Sequence, residues 1–145
     1  MILILCTGNS CRSHLAEGIL RAALNDDFRV ASAGSKPAGY VHPLAVKAMA
    51  EIGIDIAGHR PVTFEELEDQ EEFDADLIVT LSPKAHHKAL ELAHRLAAAV
   101  EYWPTADPSV IEGSREQRMH AYRELRQQLS KRILERFGPL RRVNA

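Results

Sequence analysis

Two short apolar runs, each leading into a turn and the start of a helix, constrain the fold of this chain most strongly. Ile2–Leu5 is wholly apolar, and Leu77–Leu81 is apolar apart from Thr80. Runs of this length suit strands buried on both faces of a parallel sheet. Ser82 and Pro83 directly follow the second run, and that pair is typical of a helix start. Because parallel strands need long crossover connections, we expect helices between the strands.

The remaining segments continue this alternation. Arg29–Ser32 is a second candidate strand and Glu101–Trp103 a fourth. Two helices are predicted from their range, one from Pro43 to Gly53 and one from Ser82 to about Ala99. Three more are predicted from their caps, which are Ser13, Thr63, and a capping box of Ser114 and Gln117. The pattern predicts an α/β fold with one domain over residues 1–145, in which a parallel sheet carries helices on both faces.

Composition excludes several classes of function. The 145 residues have a net charge of -2 and a pI of about 6.4, so electrostatics gives no reason to expect nucleic acid or an anionic membrane as a partner. No apolar run is long enough to span a bilayer, and the N-terminus does not resemble a signal peptide, so we expect a cytoplasmic protein. Two cysteines form neither a disulfide framework nor a four-sulfur zinc site, and we expect no cofactor.

The segment after the first apolar run carries the strongest functional signal. Five residues separate Cys6 from Arg12, between a predicted buried strand and a helix N-terminus. Successive backbone N–H groups of such a loop can surround a dianion, and an arginine adds a planar fork of donors. Gly8 and Asn9 tolerate the backbone conformations that a tight loop requires. We therefore predict oxyanion binding by Thr7, Gly8, Asn9, Ser10, Cys11, Arg12 and Ser13.

Cys6 is the candidate nucleophile of this loop. Backbone amides and a helix N-terminus favour the thiolate form of a cysteine, and the Ser13 hydroxyl can donate to that sulfur. The loop is not a nucleotide-binding P-loop, because the Gly-Lys-Ser/Thr ending is missing. The alternative is a buried structural cysteine beside a solvated arginine. We expect Cys11 to be dispensable for the chemistry and able to pair with Cys6 under oxidation.

The Cys6–Ser13 segment resembles the signature of the low-molecular-weight protein tyrosine phosphatase superfamily, which includes thiol-coupled arsenate reductases. The resemblance extends over essentially the whole chain, through Ala16-Glu17, Ser32-Ala33-Gly34, Pro43 to Ile54, His59-Arg60, Asp76 to Leu81 and Asp107-Pro108. It implies a four-stranded parallel sheet and a phosphocysteine intermediate. It also implies that Asp107 is the general acid, protonated in the first step and activating water in the second.

The resemblance further implies a supporting network behind the loop, formed by Asn9, Ser13, Ser32 and His59. From the residues alone, Ser32 is an ordinary strand-end serine and His59 a surface histidine. Asp107-Pro108 is equally compatible with a simple turn.

One other cluster has spacing that suits a metal ion. His87, Glu91 and His94 fall at i, i+4 and i+7 of a predicted helix. A single histidine–glutamate pair with a more distant histidine is more typical of a solvated helix face, so we expect no metal there.

Two chemistries are compatible with these residues. Hydrolysis of phosphate monoesters through a cysteinyl phosphate needs Cys6, Arg12 and Asp107, and we favour it because all three are present. The alternative is an arsenate reductase. Since Ser82 follows the third strand and no cysteine lies beyond Cys11, its reductant would be external: glutathione, mycothiol or a thioredoxin system. A third possibility is a non-catalytic oxyanion-binding regulatory module.

Overall fold

The computed structural model describes residues 1–8, 11–24, 28–34, 36, 38–69 and 73–138, and its four strands form one parallel sheet in the order β2-β1-β3-β4. The elements in chain order are β1 Ile2–Cys6, α1 Arg12–Leu24, β2 Val30–Gly34, α2 Pro43–Ala50, α3 Phe64–Glu68, β3 Leu77–Thr80, α4 Pro83–Leu96, β4 Ala99–Tyr102 and α5 Arg115–Phe137. A short 3₁₀ turn, Pro108–Val110, precedes α5. The predicted four-stranded parallel sheet is confirmed.

Alternate side chains of β1 face two separate hydrophobic clusters. Ile2 and Ile4 pack with residues of α1, α2 and α5, whereas Leu3 and Leu5 pack with residues of α3 and α4. All four side chains are less than 5% exposed. Full burial of such a side chain stabilises a fold by about 1.5–3 kcal/mol. The helices therefore cover both faces of the sheet, as the strand–helix alternation predicts.

The topology places the loop after β1 at the position where open α/β sheets bind ligands. β1 pairs with β2 on one side and with β3 on the other. The connection from β1 therefore leads to β2 on one side of β1, and the connection from β2 leads to β3 on the opposite side. Ligands bind outside the carboxyl ends of strands at such a switch point. Cys6 is the last residue of β1 and lies there.

Some element boundaries differ from the sequence prediction. α1 already begins at Arg12, so Ser13 lies inside the helix rather than capping it. α4 ends at Leu96, short of the predicted Ala99, because Ala97 adopts a left-handed conformation with a φ of 53° and Ala99 begins β4. Left-handed backbone commonly ends a helix. The capping boxes and prolines located the other helix starts correctly.

Among the described residues, no helix has the length and apolar character needed to cross a membrane.

Candidate active site

Cys6 lies at the carboxyl end of the central strand and is buried, with 2% of its surface exposed. Its sulfur is 3.3 Å from Ser13 Oγ. When Cys6 is a thiolate, the hydroxyl is the donor of this hydrogen bond, and a donated hydrogen bond stabilises the charged sulfur. Ser13 is also fully buried, so the contact is shielded from water.

The loop that follows Cys6 is held from outside by the segment after β2. The carbonyl oxygens of Thr7 and Gly8 accept hydrogen bonds of 2.9 Å and 2.8 Å from the N–H groups of Lys36 and Ala38. At the other end of the loop, α1 starts directly at Arg12. The first N–H groups of a helix have no partner within the helix and carry its positive dipole end. Asn9 and Ser10, both predicted to bind the oxyanion, lie outside the described residues.

The guanidinium of Arg12 lies between the loop and the segment that carries Asp107. Nη1 donates to the carbonyl oxygen of Thr105 over 2.8 Å, and Nη2 is 3.9 Å from Asp107 Oδ2. The Arg12 side chain is only 10% exposed. A buried guanidinium with further unused donors is suited to two oxygens of a phosphoryl group.

The Asp107 carboxyl group lies on the same side of the sheet as the loop. Its Oδ1 accepts hydrogen bonds from the N–H and hydroxyl of Ser109, at 2.9 Å and 2.7 Å, and lies 3.7 Å from the Cys11 sulfur. Burial raises the pKa of Asp107, but the Ser109 hydrogen bonds, the Arg12 charge and the Cys11 thiol outweigh it, so the pKa lies below its ordinary value. In these surroundings Asp107 is a carboxylate at neutral pH, so the proton that we expect it to deliver must arrive with the substrate.

Cys11 differs chemically from Cys6 despite lying in the same loop. Burial and the nearby Asp107 and Cys6 raise the pKa of the Cys11 thiol to about 12. A thiol that stays protonated is a poor nucleophile and a weak hydrogen-bond donor. As a protonated thiol, Cys11 can donate a weak hydrogen bond to Asp107.

The predicted supporting residues occupy two different places. Ser13 contacts the Cys6 sulfur, whereas Ser32 and His59 contact side chains of α1. Ser32 Oγ donates to Glu17 Oε1 over 2.5 Å, and His59 Nδ1 lies 3.1 Å from His14 Nδ1. The network therefore includes His14 and Glu17, which were not predicted from the sequence to belong to it.

A sequence signal for the two missed residues does exist. His14, Glu17 and Arg21 recur at i, i+3 and i+7, which places all three on one side of α1. Arg21 Nη2 donates to Glu17 Oε2 over 2.8 Å, and His14 and Glu17 are both nearly fully buried. Buried ionisable side chains at helical spacing require partners, and these partners are Ser32 and His59.

Ser82, two residues after the end of β3, also contacts the loop. Ser82 Oγ lies 2.9 Å from Thr7 Oγ1 and accepts a 3.3 Å hydrogen bond from the N–H of Ala85, as the cap of α4. Ser82 is 4% exposed. A thiol at this position would lie beside the loop, but the chain has a serine there.

The His87, Glu91 and His94 cluster lies on α4 and takes no part in these contacts. All three residues are exposed, and His87 Nε2 is 3.5 Å from Glu91 Oε1. The arrangement is that of a solvated helix face.

The family model for low molecular weight phosphotyrosine protein phosphatase matches residues 1–142. Among curated relatives, an arsenate reductase of Halalkalibacterium halodurans is 42% identical over 134 residues, which cover 92% of this chain and 91% of the relative. The arsenate reductase of Bacillus subtilis is 36% identical over 135 residues, or 93% of each chain.

Solved structures of both kinds of enzyme share the fold. A low molecular weight protein tyrosine phosphatase from T. tengcongensis superposes with a TM-score of 0.76 and 26% identity, over 94% of this chain and 96% of the other. An arsenate reductase in its phosphate-binding state superposes with a TM-score of 0.70 and 25% identity, over 96% and 97% of the two chains.

Proposed function

This chain belongs to the low molecular weight phosphotyrosine protein phosphatase family, whose members include phosphatases and arsenate reductases, and we propose that it hydrolyses phosphate monoesters with Cys6 as the nucleophile. The observation that carries the proposal is the convergence of three chain segments on one point. Cys6 ends β1, Arg12 begins α1, and Asp107 is brought to within 3.9 Å of Arg12 from 95 residues further along the chain.

The first step transfers the phosphoryl group to Cys6. The thiolate attacks phosphorus, a Cys6 sulfur–phosphorus bond forms, and the bond from phosphorus to the ester oxygen breaks. The backbone amides of the loop and the guanidinium of Arg12 stabilise the charge on the equatorial oxygens. Asp107 passes a proton to the departing alcohol or phenol.

The second step restores the enzyme. Asp107, now a carboxylate, removes a proton from a water molecule, whose oxygen attacks phosphorus and displaces the Cys6 thiolate. Inorganic phosphate leaves. The hydroxyl of Ser13, 3.3 Å from the Cys6 sulfur, is placed to donate to that departing thiolate. Cys6, Arg12, Asp107 and Ser13 account for both steps.

Arsenate reduction is the second candidate, favoured by the curated relatives of 36–42% identity that carry the name arsenate reductase. Here the Cys6 thiolate would displace water from arsenate and form a sulfur–arsenic(V) bond. A second thiolate would then attack the Cys6 sulfur, the sulfur–arsenic electron pair would pass to arsenic, and arsenite would leave a mixed disulfide. A third thiol would reduce that disulfide, so two thiols are oxidised for each arsenate.

The chain's own residues indicate that this second thiol is external. Ser82 occupies the position beside the loop, and the pKa of Cys11, raised to about 12, keeps the other thiol protonated. Glutathione, mycothiol or a thioredoxin-type protein are the candidate reductants. Each of these belongs to the reducing cytoplasm, which is where we propose the enzyme works.

Two assays run on the same preparation distinguish the candidates. Release of p-nitrophenol from p-nitrophenyl phosphate measures hydrolysis. Arsenate-dependent oxidation of glutathione, mycothiol or thioredoxin measures reduction. We expect turnover in the first assay, abolished by Cys6→Ser. Arsenate-dependent thiol oxidation without phosphatase turnover would replace the first candidate by the second. The absence of both activities would favour a non-catalytic oxyanion-binding module.

A further inference from the structure

Three side chains behind the loop form a cluster with the composition of a metal site. His14, Glu17 and His59 each offer one ligand atom, and the three atoms lie within 4.8 Å of one another. The Nδ1 atoms of the two histidines are 3.1 Å apart, and His14 Nδ1 is 3.8 Å from Glu17 Oε1. Hydrolysis at Cys6 uses none of the three residues.

The spacing is close to what a tetrahedral ion requires. A zinc ion binds imidazole nitrogen and carboxylate oxygen at about 2.0–2.2 Å, so tetrahedral ligand atoms are separated by about 3.3–3.5 Å. The observed separations of 3.1 Å and 3.8 Å bracket this range. The third pair of ligand atoms, those of Glu17 and His59, is separated by no more than 4.8 Å, so side-chain adjustments of about 1 Å or less at each residue would complete the geometry.

Neighbouring side chains already orient the carboxylate. Ser32 Oγ donates to Glu17 Oε1, and Arg21 Nη2 donates to Oε2. Each carboxylate oxygen has two lone pairs, so Oε1 can accept the serine hydrogen bond and still bind a cation. Partners of this kind fix the orientation of metal ligands. Arg21 is 56% exposed, so solvent screens its charge from the cluster.

The cluster is accessible from solvent through a cavity. A cavity of about 760 Å³ is lined by all three residues, together with Ser32 and Arg60. His14 and Glu17 are 2% and 6% exposed, whereas His59 is half-buried and lies toward the opening. Three buried or half-buried protein ligands beside a cavity leave room for a fourth, external ligand.

We propose that His14, Glu17 and His59 bind one divalent transition-metal ion of the zinc type, at a site separate from Cys6. Two imidazoles and one carboxylate select zinc, cobalt, nickel or copper over magnesium and calcium, which prefer oxygen ligands. The bound ion links the first turns of α1 to the loop before α3. It thereby stabilises the helix whose N-terminus forms part of the oxyanion loop.

Titration with Co²⁺ alone, followed by visible absorption, tests the site. The measurement uses the full chain with Cys6→Ser and Cys11→Ser, since thiolates also bind such metals. We expect one Co²⁺ per chain, with tetrahedral bands that Zn²⁺ displaces. His59→Gln and His14→Gln should each weaken binding by at least about tenfold. Far-UV circular dichroism shows that each variant is folded.

The matched control is His87→Gln, which removes one of the exposed histidine–glutamate pairs of the described residues. It should leave the Co²⁺ affinity unchanged. Zn²⁺ should also raise the Tm of the parent chain, and His59→Gln should abolish that rise. Affinity that survives His59→Gln and His14→Gln, or that is lost in His87→Gln, would overturn the proposal, as would the absence of a stoichiometric Co²⁺ complex.

Discussion

At the scale of single residues, the protonation of Asp107 decides how the enzyme would respond to pH. The hydrogen bonds from Ser109 and the charge of Arg12 hold the pKa of Asp107 below its ordinary value despite burial. We therefore expect the proton for the leaving group to come with the substrate monoanion. Since phosphate monoesters lose that proton near pH 6, kcat/KM should fall as the pH rises above about 6.

The falling limb should follow the substrate rather than the enzyme. Across monoesters with different second pKa values, the midpoint of the limb should move with the substrate pKa. Asp107→Asn should lower kcat by about 10²–10⁴ for alkyl phosphates, and less for p-nitrophenyl phosphate, whose leaving group needs little protonation. Equal losses on both substrates would mean that Asp107 is a turn residue, with the acid located elsewhere.

The two cysteines of the loop should behave differently. Because the pKa of Cys11 is raised to about 12, iodoacetamide at neutral pH should label Cys6 and leave Cys11 unmodified. Cys11→Ser should retain most of the phosphatase turnover, since a serine hydroxyl can also donate to Asp107. Peptide mass mapping and p-nitrophenyl phosphate turnover measure the two effects. If Cys11→Ser were as inactive as Cys6→Ser, this division of roles would be wrong.

Residues within a continuous motif are the easiest to propose from a sequence. Cys6, Arg12 and Ser13 were singled out because loop, strand and helix start are contiguous. His14 and Glu17 were missed because their partners, His59 and Ser32, lie 45 and 15 residues away and only the fold brings them together. The helical spacing of His14 and Glu17 is visible in the sequence, but the identity of their distant partners is not.

At the scale of elements, the start of α5 depends on one glycine. Ser114 and Gln117 form a reciprocal capping box, and Gly113 has a φ of 131°. A Cβ at position 113 would overlap Oε1 of Gln117, the atom that caps the helix. Gly113→Ala should lower the free energy of unfolding by about 1–2 kcal/mol.

Gly39→Ala is the matched control, since a Cβ there would contact nothing within 4 Å and its φ lies outside the left-handed region. Urea unfolding at neutral pH compares the two variants. Equal stability of Gly113→Ala and Gly39→Ala would show that the capping box contributes little.

The junction of α2 and α5 should be sensitive to acid. Hydrogen bonds from Arg123 and Arg126 lower the pKa of Glu51 to about 2. A carboxyl whose pKa is lowered by folding stabilises the fold above its unfolded pKa of about 4.3, and that contribution is lost as pH falls toward 2. The stability difference between the parent and Glu51→Gln should therefore shrink between pH 4.5 and pH 2.

Urea unfolding at several pH values measures this difference. Added salt should reduce it, because Glu51 and Arg123 are each about one-third exposed. Glu116→Gln removes the more exposed partner of Arg123 and should show a weaker pH dependence. A Glu51→Gln effect that stays constant from pH 6 to pH 2 would contradict the ion-pair interpretation.

The order of strands and helices was predictable because the starts of α2, α3, α4 and α5 each have a local cap or proline that acts on its own backbone. The end of α4 was not, because Ala97 is an ordinary helix former whose left-handed conformation follows from tertiary structure. Ala98 and Val100 pack on the side of the sheet covered by α3 and α4. β4 therefore begins at Ala99, two residues before the predicted start at Glu101.

At the scale of the whole molecule, the sheet order brings the proposed site residues together. β1 lies between β2 and β3, so the loop after Cys6 is adjacent both to the segment after β2 and to Ser82 after β3. The segment after β4 supplies Thr105 and Asp107 to Arg12. Three strand ends therefore surround one loop, which is how a small chain can bring together the proposed nucleophile, the proposed anion-binding guanidinium and the proposed acid.

The claim that Cys6 is the nucleophile is tested most directly by trapping the covalent intermediate. The enzyme is mixed with p-nitrophenyl phosphate, quenched within the first turnovers, digested and examined by mass spectrometry. We expect one phosphoryl group bound through sulfur on the peptide that contains Cys6. This phosphoryl group should form and be lost at rates compatible with turnover. Phosphate release by an enzyme that never carries phosphorus on Cys6, or that stays active as Cys6→Ser, would contradict it.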